Sequence, residues 1–452
     1  MTDSKPGQDK SSPRTAGQKM SREERAALVA KMMAKKSVGS TASPAKTSSF
    51  DWAALPEIKK AALQKKVAQS VGVGNPYMRH TTNSGAAVIE VEGRPTVNFC
   101  SYDYISVGQH PDVIGSAHAA VDHYGTSANA SRLVSGERTV HGELEAALAE
   151  NYGQEAAMVL VSGHATNVNV LTHLFGPKDL IVMDSLAHNS IYVGGQRSSA
   201  ARRTFPHNDM NALDELLHQV RGQFDKCIVV VEGLYSMDGD CAPLEKLTEI
   251  KRRHRTLLMV DEAHGLGVLG KTGRGSFEAQ NVDPKLVDIW MGTLSKTLCG
   301  AGGYLAGCET LIEYLKLSLP GFVFSVGLSP VLAAANLAAL RAMQNEPERV
   351  ERLQANGRFF TDELRRHGVD TGFSEGHAVV AAITGSSLVA LKSSQALLER
   401  GYYSLPIITP AVEERKARLR FFLQSDHTQE QLAGAALAAA ETMDMLRAEA
   451  AQ

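Results

Sequence analysis

Five short apolar runs recur along the middle of this chain, and each stops at polar residues. They read "AAMVLV", "DLIVMD", "CIVVVEG", "TLLMVDEAH" and "LVDIWMGT". Runs of this length with almost no polar alternation are strands buried on both faces. Between them lie stretches of helical period such as "NALDELLHQV" and "PLEKLTEIKRRH". That alternation predicts an α/β fold, a mostly parallel sheet covered by helices. The endings carry the functional signal. The first run ends in Ser162-Gly163-His164, and the second leads into Asp184 and His188. The third ends at Glu232 and Ser236, the fourth at Asp261 and His264. The fifth runs out into Thr293, Ser295 and Lys296. In open parallel sheets, ligands bind in the crevice outside the carboxyl ends of the strands. Five strands sending polar side chains to that edge predict a site there.

The rest of the chain frames this core. At 452 residues there is length for two to three domains. Hydrophobic residues make up 43% and charged residues 21%, as in a soluble globule. A net charge of −2 gives no argument for nucleic acid or membrane. No run reaches the ~18 apolar residues of a membrane helix, and "MTDSKPGQDK" lacks the apolar core of a secretory signal. The five cysteines contain no C-x-x-C pair. They predict neither a disulfide framework nor a metal, and point to a reducing, cytoplasmic compartment. Residues 1–50 differ in kind, with ten Lys/Arg against four Asp/Glu and a disorder-like composition. Within them "SREERAALVAKMMAKK" has a capping box, Ser21 and Glu24, and an apolar helical face. This is either a transient helix in a basic tail or a docking helix for an acidic partner. A second helix is expected from about Trp52 to Ser70, then short strands near "AAVIEVEG" and "TVNFCS". The expected divisions are a tail (1–50), an N-terminal segment (51–92), a large domain (93–330) and a smaller C-terminal α/β domain (331–452).

The polar residues suggest one chemistry. Lys296 stands among small residues in "GTLSKTLCGAGG", where backbone can approach a planar ligand. A lysine with a depressed pKa forms a Schiff base with an aldehyde cofactor. Asp261 can pair with a pyridinium nitrogen and keep such a ring an electron sink. Thr293, Ser295 and the N–H groups after Gly163 can hold a phosphate, and His188 can stack on the ring.

These residues sit in blocks that resemble the α-oxoamine synthases. "SYDYISVGQHPDV", "YGTSANASRLVSGERTVHGELE", "SGHATN", "DSLAHNS", "EGLYSMDGD", "VDEAHGLGVLGKTGRGS", "GTLSKTLCGAGGY" and "ARLRFFL" match family blocks in order, over about residues 85–440. The resemblance implies pyridoxal 5′-phosphate on a type I fold and a homodimer with its active site at the interface. It implies a decarboxylating condensation of a small amino acid with an acyl thioester. By position, Lys296 matches the Schiff-base lysine and base, Asp261 the pyridinium partner, and His264 the residue beside the ring hydroxyl. His188 matches the stacking histidine and an acid near the thioester. Ser236 matches a residue near the ring hydroxyl and substrate. Gly163, His164 and Thr293 match phosphate-loop positions, and Arg420 an arginine for the amino acid's carboxylate. The chain departs from its relatives at His164 (usually Phe or Tyr), Tyr102 (often Asn), Val326 (Ser or Thr nearby) and Ile408 (an extra Arg in some members). The choice of amino acid therefore cannot be copied from one relative. The basic tail suggests an acyl carrier protein, rather than coenzyme A, as the acyl donor's bearer.

Three other functions share parts of this pattern. A type I aminotransferase would use the same Lys and Asp, but "AHGLGVLGKTGRGS" and "EGLYSMDGD" favour the synthases. A non-catalytic subunit would not need Lys296, Asp261, His264 and His188 together. A nucleotide hydrolase is suggested by Gly265–Thr272, which spells G-x-x-x-x-G-K-T. That motif needs a helix directly after Thr272, and Gly-Arg-Gly-Ser follows instead. Lys271 is then a bystander.

Overall fold

The computed structural model describes residues 51–70, 74–82 and 87–450. The tail and its possible helix at residues 21–36 lie outside the described residues. The chain divides into two units, one running to Val67 and the other from Ala68 to the C-terminus. In the first, Asp51 accepts from Ala53 N and caps a 3-10 turn, Trp52–Ala54. The helix Pro56–Ser70 then begins, with Pro at the first position, where the missing N–H costs nothing.

The second unit carries thirteen strands among its described residues. These are β1 (Val88–Val91), β2 (Arg94–Asn98), β3 (Ala156–Leu160), β4 (Leu180–Asp184), β5 (Ala201–Phe205), β6 (Cys227–Glu232) and β7 (Leu257–Asp261). β8 (Ile289–Thr293), β9 (Gly303–Gly307), β10 (Val379–Ile383), β11 (Tyr402–Tyr403), β12 (Leu405–Ile407) and β13 (Arg418–Phe422) follow. Seven of them form one sheet in the order β3-β9-β8-β7-β6-β4-β5. β9 alone runs opposite to the other six.

All five apolar runs are strands of this sheet. Their residues alternate between two cores: Ile228 and Val230 of β6 join one apolar cluster, Val229 and Val231 the other. Leu258 and Val260 of β7 part from Met259 in the same way. Successive side chains of a strand point to opposite faces, so a run apolar throughout needs cover on both. Each fully buried Val or Ile contributes about 1.5–3 kcal/mol by leaving water.

Two strands are not evident from the sequence. β5 reads "ARRTF" and sits at the sheet edge with Arg202 and Arg203 exposed; charged residues protect such an edge from stray pairing and erase the apolar signal. β9 reads "GYLAG" and lies fully buried between β3 and β8.

Two smaller sheets complete the unit. β10 and β12 both pair with β13, antiparallel. β1 and β2 form a hairpin across the boundary expected at residue 93, and β2 also pairs with β11. One sheet thus draws strands from both ends of the chain. The helix Pro330–Asn345, at the second expected boundary, packs on the helices Pro111–Tyr124 and Thr139–Asn151.

Candidate active site

The carboxyl ends of β3, β4, β6, β7 and β8 open on a cavity of about 320 Å³. Gly163, His164, His188, Asp261, His264, Thr293, Ser295 and Lys296 all line it. Of the residues expected at the site, Ser236 and Arg420 stand outside this lining.

Asp261 ends β7 with both carboxylate oxygens engaged. Ala263 N donates to Oδ1 at 2.9 Å, and Asn167 Nδ2 donates to Oδ2 at 2.7 Å. The same amide donates to Ser190 Oγ at 2.9 Å, and Ser190 Oγ lies 2.7 Å from His188 Nδ1. Ser190 Oγ already accepts a hydrogen bond from Asn167 and has one hydrogen to give, so it donates to Nδ1. Ser190 N donates to the same nitrogen at 3.3 Å. These bonds assign the proton of neutral His188 to Nε2. Burial, opposed by the charge of Asp261 and aided by that of Lys296, lowers the His188 pKa and keeps the ring neutral.

His264 follows the same logic. Tyr104 Oη lies 2.6 Å from its Nδ1. Burial pushes the Tyr104 phenol well above its ordinary range, so it remains the donor. Burial, then the positive charges of Lys296 and Arg420, hold His264 well below the usual imidazole value. Both cavity histidines are therefore neutral rings whose Nε2 carries the proton.

Lys296 lies in the tight loop between β8 and β9. Leu294 N bonds to Gly302 O and Cys299 N to Lys296 O, which folds the loop back on itself. Burial lowers its ammonium pKa to about 8, against the attraction of Asp261 and Glu232. Its Nζ stands 5.7 Å from the ring centre of Tyr102, which packs edge-on against Phe422 at 4.8 Å. Glu232, at the end of β6, also lines the cavity, and burial with the charge of Asp261 raises its carboxyl to about 8.

The other end of the cavity suits a phosphate. Ser162 caps the helix Gly163–Leu174 by accepting from Ala165 N, while the first N–H groups of a helix have no acceptor within it. A Cβ on Gly163 would meet Thr293 Oγ1 at 2.6 Å, so only glycine allows this approach. Thr293 Oγ1 and Ser295 Oγ lie 2.8 Å apart at the same place. His164 reaches Asn189 Oδ1 at 3.4 Å, its ring edge-on to His188.

Arg420 and Ser236 meet beside the cavity. Arg420 Nη1 donates to the Ser236 carbonyl at 3.0 Å, and its guanidinium stacks 4.6 Å from the Phe422 ring. Ser236 thus orients the arginine through its backbone. The positive charge of Arg420 reaches Lys296 and both histidines, lowering the pKa of each.

These residues fit pyridoxal phosphate on structural grounds. Asn167 Oδ1 and Glu232 Oε1 line a polar cavity, are buried, and have no partner among the described residues; groups left so are costly unless a ligand satisfies them. The donor set matches as well: an amine of lowered pKa for an aldehyde, a fixed carboxylate for a ring nitrogen, a glycine-bordered helix start for a phosphate.

Gly265–Thr272, by contrast, forms turns, and the helix after it is only Ser276–Ala279. Thr272 Oγ1 donates to Glu278, and Lys271 is exposed. The glycines pack round a carboxylate instead. A Cβ on Gly233, Gly265 or Gly275 would meet Glu262 within 3 Å, and Ser276 hydrogen-bonds Glu262. The nucleotide-loop pattern is a coincidence of spelling.

A family model described as aminotransferase class I and II matches residues 94–438. The 8-amino-7-oxononanoate synthase of Geobacter sulfurreducens is 40% identical over 365 residues, spanning 80% of this chain and 93% of its own. Sphingomonas wittichii serine palmitoyltransferase superposes with a TM-score of 0.83 at 30% identity, covering 88% of this chain and 100% of the other. The S. paucimobilis serine palmitoyltransferase, solved with a bound PLP–myriocin adduct, gives 0.83 at 28% identity with the same coverage.

Proposed function

The chain belongs to the class I and II aminotransferase family, on its α-oxoamine synthase branch, and on that premise we propose which of its residues perform the reaction. It is a pyridoxal phosphate-dependent acyltransferase that condenses an amino acid with an acyl thioester, with loss of carbon dioxide. An aminotransferase activity has less support.

Bound pyridoxal phosphate supplies an electron-withdrawing ring that stabilises negative charge on the carbon bearing the amino group. Lys296 Nζ would anchor the cofactor's aldehyde and serve as the base for the substrate's α-proton; its pKa of about 8 leaves it able to hold and return a proton near neutral pH. Asp261, fixed by Asn167 and Ala263, keeps a negative charge at the ring nitrogen. His188 Nε2–H would serve as a donor to oxygen that becomes negative, and His264 Nε2–H would donate to the ring hydroxyl. Gly163, His164, Thr293 and Ser295 hold the phosphate. Arg420 takes the substrate carboxylate, oriented by Ser236. The single observation behind this reading is Lys296, an amine of lowered pKa sharing one cavity with Asp261 and two neutral histidines.

The finer choices are proposals of the same kind. The amino acid is small, a choice supported by the Tyr102 ring 5.7 Å from Lys296 Nζ and backed by Phe422. The enzyme works as a homodimer, supported by exposed Leu133, Val134, Phe324 and Val326 on segments joined by Gly327 N and Ala130 O. It acts in the cytoplasm, in keeping with five free cysteines; no helix among the described residues is long and apolar enough to cross a membrane. The basic tail docks an acidic acyl carrier protein, which brings the acyl group to the substrate. Purified enzyme, given single amino acids and a panel of acyl thioesters, is expected to release carbon dioxide and free thiol and to yield an aminoketone by mass. A requirement for a keto-acid acceptor would overturn the reading. A chain starting at Ser49 is expected to lose activity with carrier-bound donors and keep it with coenzyme A donors. Equal effects on both would remove the carrier protein.

A further inference from the structure

Away from the cofactor cavity, three residues of different ligand type converge: Cys241, Glu375 and His377. Cys241 Sγ lies 3.5 Å from His377 Nε2, and that nitrogen lies 3.5 Å from Glu375 Oε2. One ligand atom from each falls within 4.8 Å of the other two. None of the three lines the cofactor cavity.

We propose that Cys241, Glu375 and His377 form a binding site for a divalent cation of the zinc type. Zinc bonds of about 2.3 Å to sulfur and about 2.0–2.1 Å to nitrogen and oxygen, set at tetrahedral angles, separate S from N by about 3.6 Å and N from O by about 3.3 Å. Both observed separations fall within about 0.2 Å of these values. Thiolate, imidazole and carboxylate together favour zinc over calcium or magnesium, which take oxygen ligands. The carboxylate of Glu375 is half exposed, which lets it close on an ion and leaves a fourth position to water.

The backbone on either side is already fixed. The turn before Cys241 is closed by Tyr235 N to Asp240 O and Gly239 N to Tyr235 O, and Leu234 bridges to Cys241. Asn208 Nδ2 holds the Cys241 carbonyl at 3.0 Å. The segment bearing the other two ligands is tied to this turn by Glu375 N to Gly239 O and by Ser374 Oγ to Asp238 O. A Cβ on Gly239 would meet the carbonyl of Val379 at 2.0 Å, so the two segments cannot come closer or carry a side chain between them. An ion therefore meets its ligands with little chain entropy left to lose. On binding, the Cys241 thiol gives its proton to solvent and coordinates as thiolate. The competing account is a thiol–imidazole hydrogen bond beside a surface ion pair, with no affinity for metal.

Cobalt(II) separates the two. Holoenzyme freed of metal by a chelator is titrated with cobalt(II), and difference spectra remove the cofactor's own absorbance. The expected result is a near-ultraviolet thiolate-to-cobalt band that saturates at one ion per chain and is displaced by zinc. Cys241→Ser abolishes the band. His377→Gln, at a partly buried position, and Glu375→Gln, at an exposed one, keep the fold by circular dichroism and weaken zinc binding about tenfold or more. Cys308→Ser, at an exposed cysteine elsewhere, leaves band and affinity unchanged. Absence of a thiolate band, or zinc affinity unaltered in folded His377→Gln, overturns the site.

Discussion

Asn167 gives one N–H to Asp261 and the other to Ser190, and so joins the carboxylate proposed for the ring nitrogen to the serine beside His188. Ser190 completes the connection to His188 Nδ1. One amide thereby holds the Asp261 carboxylate and, through Ser190, sets the tautomer of His188.

Replacing Asn167 by Ala removes both bonds. A hydrogen bond to a charged group contributes about 1.5–3 kcal/mol, so kcat/KM is expected to fall about 10- to 100-fold. Lys296 remains, so the cofactor's visible absorbance should persist. A merely structural residue would instead lower thermal stability and cofactor content together. Steady-state kinetics read beside the absorption spectrum distinguish the outcomes.

On the proposed role of Lys296, it is the neutral amine that would attack the cofactor's aldehyde. Its pKa is lowered to about 8 from the ordinary 10.5, and the amine is neutral above that value. Reconstitution of apoenzyme is therefore expected to speed up as pH rises and to level off past about 8. An inflection near the ordinary lysine value would contradict the burial argument. Lys296→Arg should leave no borohydride-reducible link to the chain.

Glu232 tests a different sign. Raised to about 8, its carboxyl is protonated at neutral pH and ionises only above that value, placing a second negative charge near Asp261. Glu232→Gln imitates the protonated form, so activity at neutral pH is expected to survive. Above pH 8 the variant should hold its activity better than the parent. A collapse at neutral pH would mean the carboxylate form is required.

For Arg420 the expectation is a split between constants. Arg420→Lys keeps a charge but loses the planar fork that matches a carboxylate. KM for the amino acid should rise about tenfold or more with kcat changed far less, the pattern of lost uniform binding. An equal fall in kcat would place Arg420 in the chemical step rather than in substrate binding.

The sheet and the floor of the site were legible because buried parallel strands write themselves as apolar runs, and those runs ended at Asp261, His264 and Lys296. Other parts were not, for physical reasons. β5 hides behind exposed Arg202 and Arg203, and β9 is glycine-bounded and runs against its neighbours. Tyr104 lies 160 positions from His264 in the chain, and no spacing rule joins them. Asn167 had a weak signal: it follows Gly163 by four residues on one helix, so it shares the face that lines the cavity. Glu232 was visible as a strand end, but its raised pKa needs the packed environment. The Cys241 cluster gave no motif, because its ligands come from two distant segments brought together by the fold.

The two assigned histidine tautomers have a further consequence. With Nδ1 of His188 and of His264 each occupied by a hydroxyl, both rings point N–H groups inward, and Asp261 is already doubly engaged. Lys296 is then the one amine in the lining, and on the proposed reading the group that would lift hydrogen from carbon and give it back. On the proposed role of Lys296, departure and return would occur from one side of the substrate, and for any amino acid larger than glycine the handedness of the product would be written by where a single nitrogen sits.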